Sequence, residues 1–130
     1  MATFIPFNRD QAFLLPPDLK EWLPEDDLSH FVVAAVERVP IGTFDVAARA
    51  GGKPQYHPQL MLALLVSCHA YGNFSSRRIE RATLRDVAVR VVAANLHPDH
   101  DTIATFRRTN KVAFEAALLQ VLLLAHKALL

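Results

Sequence analysis

The apolar residues of this chain recur at spacings that predict amphipathic and buried helices. The clearest run follows Pro58, which suits the first turn of a helix and stands directly after His57. Apolar side chains from Leu60 to Cys68 would point to every side of that helix, and Gly72 and Asn73 would end it. A helix that is apolar all round is a buried one, so this segment is predicted to be the central helix.

Capping side chains predict where the other helices begin. Asp27 precedes a segment that would run from Leu28 to about Val39, where Pro40 stops it. Further helices are predicted over 44–50 after Thr43, from Ser75 or Ser76 to about Leu84, over 87–94 after Asp86, and from Asp99 or Asp101 to the C-terminus with a break near Asn110. The valines of 87–94 also fit a strand. The alanines and the preceding cap favour a helix.

Both ends of the chain differ from this helical middle. Residues 1–27 hold four prolines among apolar side chains, which predicts an extended arm lying on the domain, with at most a short helical turn near Asp18–Leu23. Ala116–Ala125 is nearly all apolar and predicts either a buried helix or a helix exposed by truncation. The expected fold is a compact all-α domain with an arm (1–27), a helical core (28–110) and a C-terminal apolar helix (111–130).

Composition agrees with one helical domain. The 130 residues are 52% hydrophobic and include only four glycines, which suits a helical core better than a turn-rich β fold. The single cysteine, Cys68, cannot form an internal disulfide, and no secretory leader is recognisable, so a cytoplasmic location is expected. No segment is expected to cross a membrane.

Charge is distributed unevenly along the chain. Residues 1–52 carry four basic and eight acidic side chains, whereas residues 53–130 carry ten and five. Arg77, Arg81 and Arg85 recur every four residues and would follow one face of a helix. Such a face suits contacts with phosphates. The alternative is a plain helical surface whose arginines pair with Glu80 and Asp86.

Three short segments with tight turns between them, 75–84, 86–94 and 101–110, have the outline of a helix-turn-helix, in which the last helix enters the major groove. Ile103 and Phe106 are three residues apart and are expected in the core. The candidate DNA contacts are Arg77, Arg78, Arg81, Arg85, Arg90, His100, Thr102, Thr105, Arg107, Arg108 and Lys111.

Catalytic and metal-binding patterns are weak. His97 and His100 flank Asp99, but a zinc site needs three or four converging ligands, and turn formation and helix capping account for these residues, so no metal or other cofactor is expected. Cys68 and His69 are adjacent on one helix and therefore diverge by about 100°. They cannot form a nucleophile–base pair, and core packing is the better explanation of Cys68.

An ordered series of short motifs resembles a known family. Tyr56-His57-Pro58 precedes the apolar helix, Ser75 to Ala82 and Asp86 to Arg90 follow it, and Pro98-Asp99-His100-Asp101-Thr102-Ile103 leads to Phe106-Arg107-Arg108. In this order and spacing they resemble the InsH-type N-terminal domain of DDE transposases from bacterial insertion sequences, over about residues 1–115.

The resemblance implies a helical domain that binds the terminal inverted repeats of a mobile element. It also implies a separate catalytic domain, in which three carboxylates hold divalent metal ions for strand cleavage and transfer. Glu115 is the only acid after Asp101, so no catalytic residue can be assigned, and a DNA-binding fragment without activity of its own is expected. Two alternatives stay open: a fragment that associates with itself or with intact transposase and inhibits it, and a non-functional remnant.

Overall fold

Six helices make up the described part of the chain, and no strand occurs there. A computed structural model describes residues 23–39 and 55–129, together with the isolated positions Phe4, Pro6 and Asp10. The helices are α1 (Leu28–Val36), α2 (Pro58–Ala70), α3 (Ser76–Arg85), α4 (Val87–Val92), α5 (His100–Thr109) and α6 (Lys111–Leu129). The all-α prediction is therefore confirmed. The predicted arm, apart from Leu23–Asp27 and the three isolated positions, lies outside the described residues. The helix predicted over 44–50 and most of the loop between α1 and α2 lie outside them as well.

The central position predicted for α2 is confirmed. All eight residues from Met61 to Cys68 are buried, and α1, α4, α5 and α6 pack around the helix. His57 caps it, because its Nδ1 accepts a hydrogen bond from the Gln59 backbone N–H at 3.1 Å. At the other end Gly72 takes a left-handed φ of 82°, which an L-residue rarely adopts, and so turns the chain toward α3.

Short polar side chains begin the surrounding helices, as their sequence positions predict. Asp27 accepts a hydrogen bond from the Ser29 N–H at 2.9 Å, Asp86 from the Val89 N–H at 3.2 Å, and Asp99 from the Thr102 N–H at 2.8 Å. Each bond satisfies a backbone donor that has no partner inside its helix. Val87–Val92 is a helix, so the alternative of a strand there is wrong.

Two helices end earlier than predicted. α1 stops at Val36, and Val39 donates its N–H to the Val36 carbonyl in a tighter turn. The residue four positions after Val36 is a proline, which has no N–H to continue the α-helical bonding. α4 stops at Val92, since Ala94 and Asn95 take left-handed φ values of 51° and 60°. The turn predicted over Asn95–Pro98 lies earlier, at 93–95, and the break predicted near Asn110 separates α5 from α6.

α6 packs on one side only. Phe114, Ala117 and Val121 are buried in the core, whereas Leu119 and Leu122 are each more than half exposed. The segment 116–125 is therefore neither fully buried nor fully exposed. None of the helices that the structure describes has the length and apolar character needed to span a bilayer.

Candidate nucleic-acid interface

α3 divides its residues between the core and solvent. Ile79 and Thr83 are fully buried, and the Thr83 hydroxyl donates to the Glu80 carbonyl at 2.6 Å. Because the helix buries this one side, its arginines lie on the opposite, exposed side. We call these four residues the arginine face: Arg77, Arg78, Arg81 and Arg85. Arg78, Arg81 and Arg85 line a shallow open depression that Asp86 borders.

The guanidinium groups of the arginine face have no partner among the described residues. Their acidic neighbours are used elsewhere. A Glu80 carboxylate oxygen accepts the His100 backbone N–H at 3.2 Å, and Asp86 caps α4. The pairing with Glu80 and Asp86 that the alternative supposes is not found among the described residues. The face keeps four positive charges directed at solvent, an arrangement that suits phosphate oxygens.

Arg107 links α5 to the start of α3 through two hydrogen bonds. Its Nη1 donates to the Phe74 carbonyl at 2.7 Å, and its Nη2 donates to the Ser76 hydroxyl. These bonds join the C-terminal half of α5 to the start of α3. The start of α5 meets the middle of α3 through His100 and Glu80, so the two helices run in opposite directions.

Arg90 also has an intramolecular partner. Its Nε and Nη2 donate to the Asn95 Oδ1 at 3.2 and 3.0 Å, across the turn that follows α4. Asn95 has a left-handed backbone, and this pair of bonds fixes the turn. Arg90 and Arg107, both sequence-predicted DNA contacts, therefore support the fold with their guanidinium groups.

The two histidines of the 97–100 motif lie against α3. His97 Nδ1 is 3.3 Å from the Thr83 hydroxyl. The His100 ring lies between two carboxylates, with Nδ1 3.6 Å from Glu80 and Nε2 3.5 Å from Asp101. No cluster of three or more potential metal ligands is found among residues 23–39 and 55–129.

α5 presents a second, mixed surface. Ile103 is buried and Phe106 packs against the core, as predicted, and Thr102 is half-buried. The exposed positions recur at intervals of three and four residues, and they are Asp101, Ala104, Thr105, Arg108 and Thr109. Lys111 follows at the start of α6, where its Nζ lies 4.0 Å from Glu115. Thr105 and Arg108 are thus the α5 candidates that remain accessible to a ligand.

Cys68 and His69 do not form a catalytic pair. Cys68 is buried in α2, and burial raises the pKa of its thiol to about 12. The His69 ring bonds the Leu65 carbonyl through Nδ1 at 2.8 Å and meets Phe74 and Phe114 edge-on, with ring centroids 5.1 and 4.9 Å away. Burial lowers the pKa of His69.

Sequence reasoning missed the structural roles of Arg90, Arg107 and Glu80. The partner of Arg107 is separated from it by more than thirty positions along the chain, and no local spacing marks such a contact. Arg90 and Asn95 are close in sequence, and the asparagine, a residue type that tolerates a left-handed turn, is the one signal that could have suggested their bond.

A comparison with protein families matches residues 17–109 to the family described as Transposase domain (DUF772). Searches of curated proteins and of solved structures gave no match. The matched range contains the five helices from α1 to α5 and with them the arginine face.

Proposed function

Because the chain belongs to the Transposase domain (DUF772) family, we propose that it binds double-stranded DNA for a transposase, with the arginine face of α3 on the phosphates. The observation that carries this proposal is the state of Arg77, Arg78, Arg81 and Arg85. All four are exposed, and none forms an ion pair with a carboxylate of the described residues.

The exposed side of α5 supplies the second part of the proposed contact. Thr105 and Arg108 have the hydrogen-bonding groups that read base edges or hold a phosphate, and the small Ala104 on the same exposed side allows close approach. Arg107 and His100 fix α5 against α3, so the distance between the two surfaces is set by the fold. We propose that these surfaces together select the terminal inverted repeats of the element.

The proposed role is binding and not chemistry. In it the domain holds and orients DNA ends beside the nucleoid, and the carboxylates that cleave and join strands belong to the catalytic domain of a transposase, with their metal ions. The domain needs no cofactor for the phosphate contacts themselves.

Salt-dependent binding tests the arginine face. Fluorescence anisotropy would compare a labelled duplex copied from the repeats that flank the gene with a shuffled duplex, between about 50 and 200 mM salt. Each lost phosphate contact lowers the slope of log K against log salt by roughly 0.9. The double variant Arg78→Gln, Arg81→Gln should therefore lose about two units of slope on both duplexes.

Arg38→Gln is the matched control, because Arg38 is an exposed arginine just after α1, outside the arginine face. It should keep the slope of the native protein, and circular dichroism would show that all variants are folded. An unchanged slope in the double variant, or an equal loss in the control, would reject the arginine face as the contact. Equal affinity for both duplexes at every salt concentration would reject repeat recognition and leave general DNA binding.

A further inference from the structure

α6 carries an apolar surface that the other described helices leave open. One side of the helix buries Phe114, Ala117 and Val121 in the core. The other side exposes Leu119, Leu122 and Leu123 at 58%, 54% and 54%. We call these three residues the leucine face. Their spacing of three and four residues places them in one stripe along the helix.

A stripe of this kind fits another helix. Side chains three and four residues apart form the ridge that inserts into the groove of a facing helix. Clustered apolar side chains on the surface of a soluble domain mark an interaction site more often than scattered ones do. We propose that the leucine face binds the leucine face of a second copy of this chain. The two α6 helices are antiparallel, and the two-fold axis between them lies at the height of residue 121 along the helix.

Charge along α6 favours the antiparallel orientation. Glu115 stands four residues before Leu119, and Lys127 stands four residues after Leu123, so the two charges are equidistant from the centre of the leucine face. An antiparallel pair places Glu115 beside the partner's Lys127 at both ends. A parallel pair would instead place Lys127 beside the partner's Lys127 and His126 beside the partner's His126. Antiparallel helix dipoles also attract each other.

The leucine face is small, which sets the expected strength of the pair. Three half-exposed leucines on each copy bury much less than the roughly 1,600 Å² of a standard interface. The dimer should therefore dissociate in the micromolar range or above, roughly 10⁻⁶ to 10⁻⁴ M. This association does not involve the arginine face, and its test contains no DNA, so it can fail without affecting the proposed DNA binding.

Sedimentation of the full chain over a wide concentration range tests the association. The native protein should pass from the monomer mass to twice that mass as its concentration rises. The variant Leu119→Gln, Leu123→Gln should stay monomeric, while Leu84→Gln, Leu96→Gln should dimerise normally. The control removes leucines of similar exposure, 58% and 44%, from other parts of the surface. Circular dichroism would confirm that both double variants are folded.

Paired cysteines test the orientation. A two-fold axis near Val121 brings position 119 of one copy close to position 123 of the other, whereas parallel helices bring equal positions together. Mixing Leu119→Cys with Leu123→Cys should therefore give a mixed disulfide in several-fold excess over disulfides of either variant with itself. Buried Cys68 should not compete. A strictly monomeric native protein, or a glutamine variant that still dimerises, would overturn the proposal. A preference for self-pairing would overturn the antiparallel arrangement.

Discussion

Arg107 offers the sharpest test of the distinction between arginines that support the fold and arginines that are available to DNA. Replacing it with methionine keeps most of the apolar stem and removes the donors to the Phe74 carbonyl and the Ser76 hydroxyl. A hydrogen bond from a charged group contributes about 1.5–3 kcal/mol when it is well shielded from solvent. Arg107 is only half-buried, so the two bonds together are expected to contribute about 1–2 kcal/mol.

The neighbouring Arg108→Met is the matched control. Arg108 is exposed, and no hydrogen bond or ion pair links it to a described residue. Substitutions of that kind usually change stability by less than about 0.5 kcal/mol. Urea unfolding followed by circular dichroism should therefore place the midpoint of Arg107→Met well below that of Arg108→Met, and thermal unfolding should show a drop of roughly 4 °C per kcal/mol.

In DNA binding the same two variants should rank the other way, with Arg108→Met the more impaired of the two. Arg108→Met should lower the salt slope by about one unit, because it removes a proposed phosphate contact. Arg107→Met should leave the slope close to that of the native protein under conditions where it is folded. If the two variants unfold at the same urea concentration, the reasoning from the hydrogen bonds of Arg107 is wrong. If Arg107→Met loses the slope unit, Arg107 is a DNA contact.

Three further predictions concern the core and its ionisable groups. Leu64→Ala in α2 should destabilise the domain by about 2–5 kcal/mol in urea unfolding, because Leu64 is fully buried and its loss leaves a cavity. A change below about 1 kcal/mol would contradict tight packing around α2. Cys68 should resist a thiol reagent at pH 8 until the protein unfolds, and rapid labelling of the native protein would contradict its burial. Because the pKa of its thiol is raised from 9.0 to about 12, the stability that the buried thiol contributes should be lost as the pH rises from 9 toward 12. The hydrogen bond from the Ser29 N–H, followed by the one from the Tyr71 hydroxyl, holds the pKa of Asp27 below its ordinary value. The stability contributed by this carboxylate is therefore present above about pH 4 and lost as the pH falls further. Asp27→Asn should lose less stability than the native protein on acidification, and an identical acid transition in the two proteins would refute the assignment.

Local signals in the sequence predicted the helices well. Asp27, Asp86 and Asp99 cap the helices that follow them, since a cap depends on backbone donors only two or three residues away. The central place of α2 followed from its lack of a polar side. The predicted ends of α1 and α4 were wrong because a helix end depends on the backbone conformation of a few turn residues. One of them is Ala94, whose left-handed conformation no side-chain pattern marks.

Contacts between distant segments could not be predicted in the same way. The bond between Arg107 and Phe74 and that between His100 and Glu80 exist only after α5 has packed along α3. Charge counting therefore treated Arg107 and Arg81 alike, although the first is engaged and the second faces solvent. The half-exposed state of α6 likewise depends on which neighbours the helix meets, and an apolar run cannot reveal that.

Two of the positive charges on the arginine face, those of Arg77 and Arg81, are placed so that they destabilise α3, and this effect can be measured. Arg77 lies in the first turn of α3, which contains no acid, so its charge faces the positive end of the helix dipole. It also stands four residues from Arg81, and like charges at this spacing repel by about 0.2–0.5 kcal/mol. Arg77→Gln should therefore raise the free energy of unfolding by roughly 0.5–1 kcal/mol while it weakens DNA binding.

Arg85→Gln separates these two effects. Arg85 lies in the last turn of α3, where a positive charge interacts favourably with the dipole, so its removal should give no gain in stability. Its loss should still lower the salt slope for DNA by about one unit, as the loss of Arg77 does. A gain in stability for Arg77→Gln and none for Arg85→Gln, with equal losses of DNA binding, would show that the charge of Arg77 serves a ligand and destabilises the helix. If Arg77→Gln destabilised the domain, the residue would serve the fold, and its place in the arginine face would be wrong.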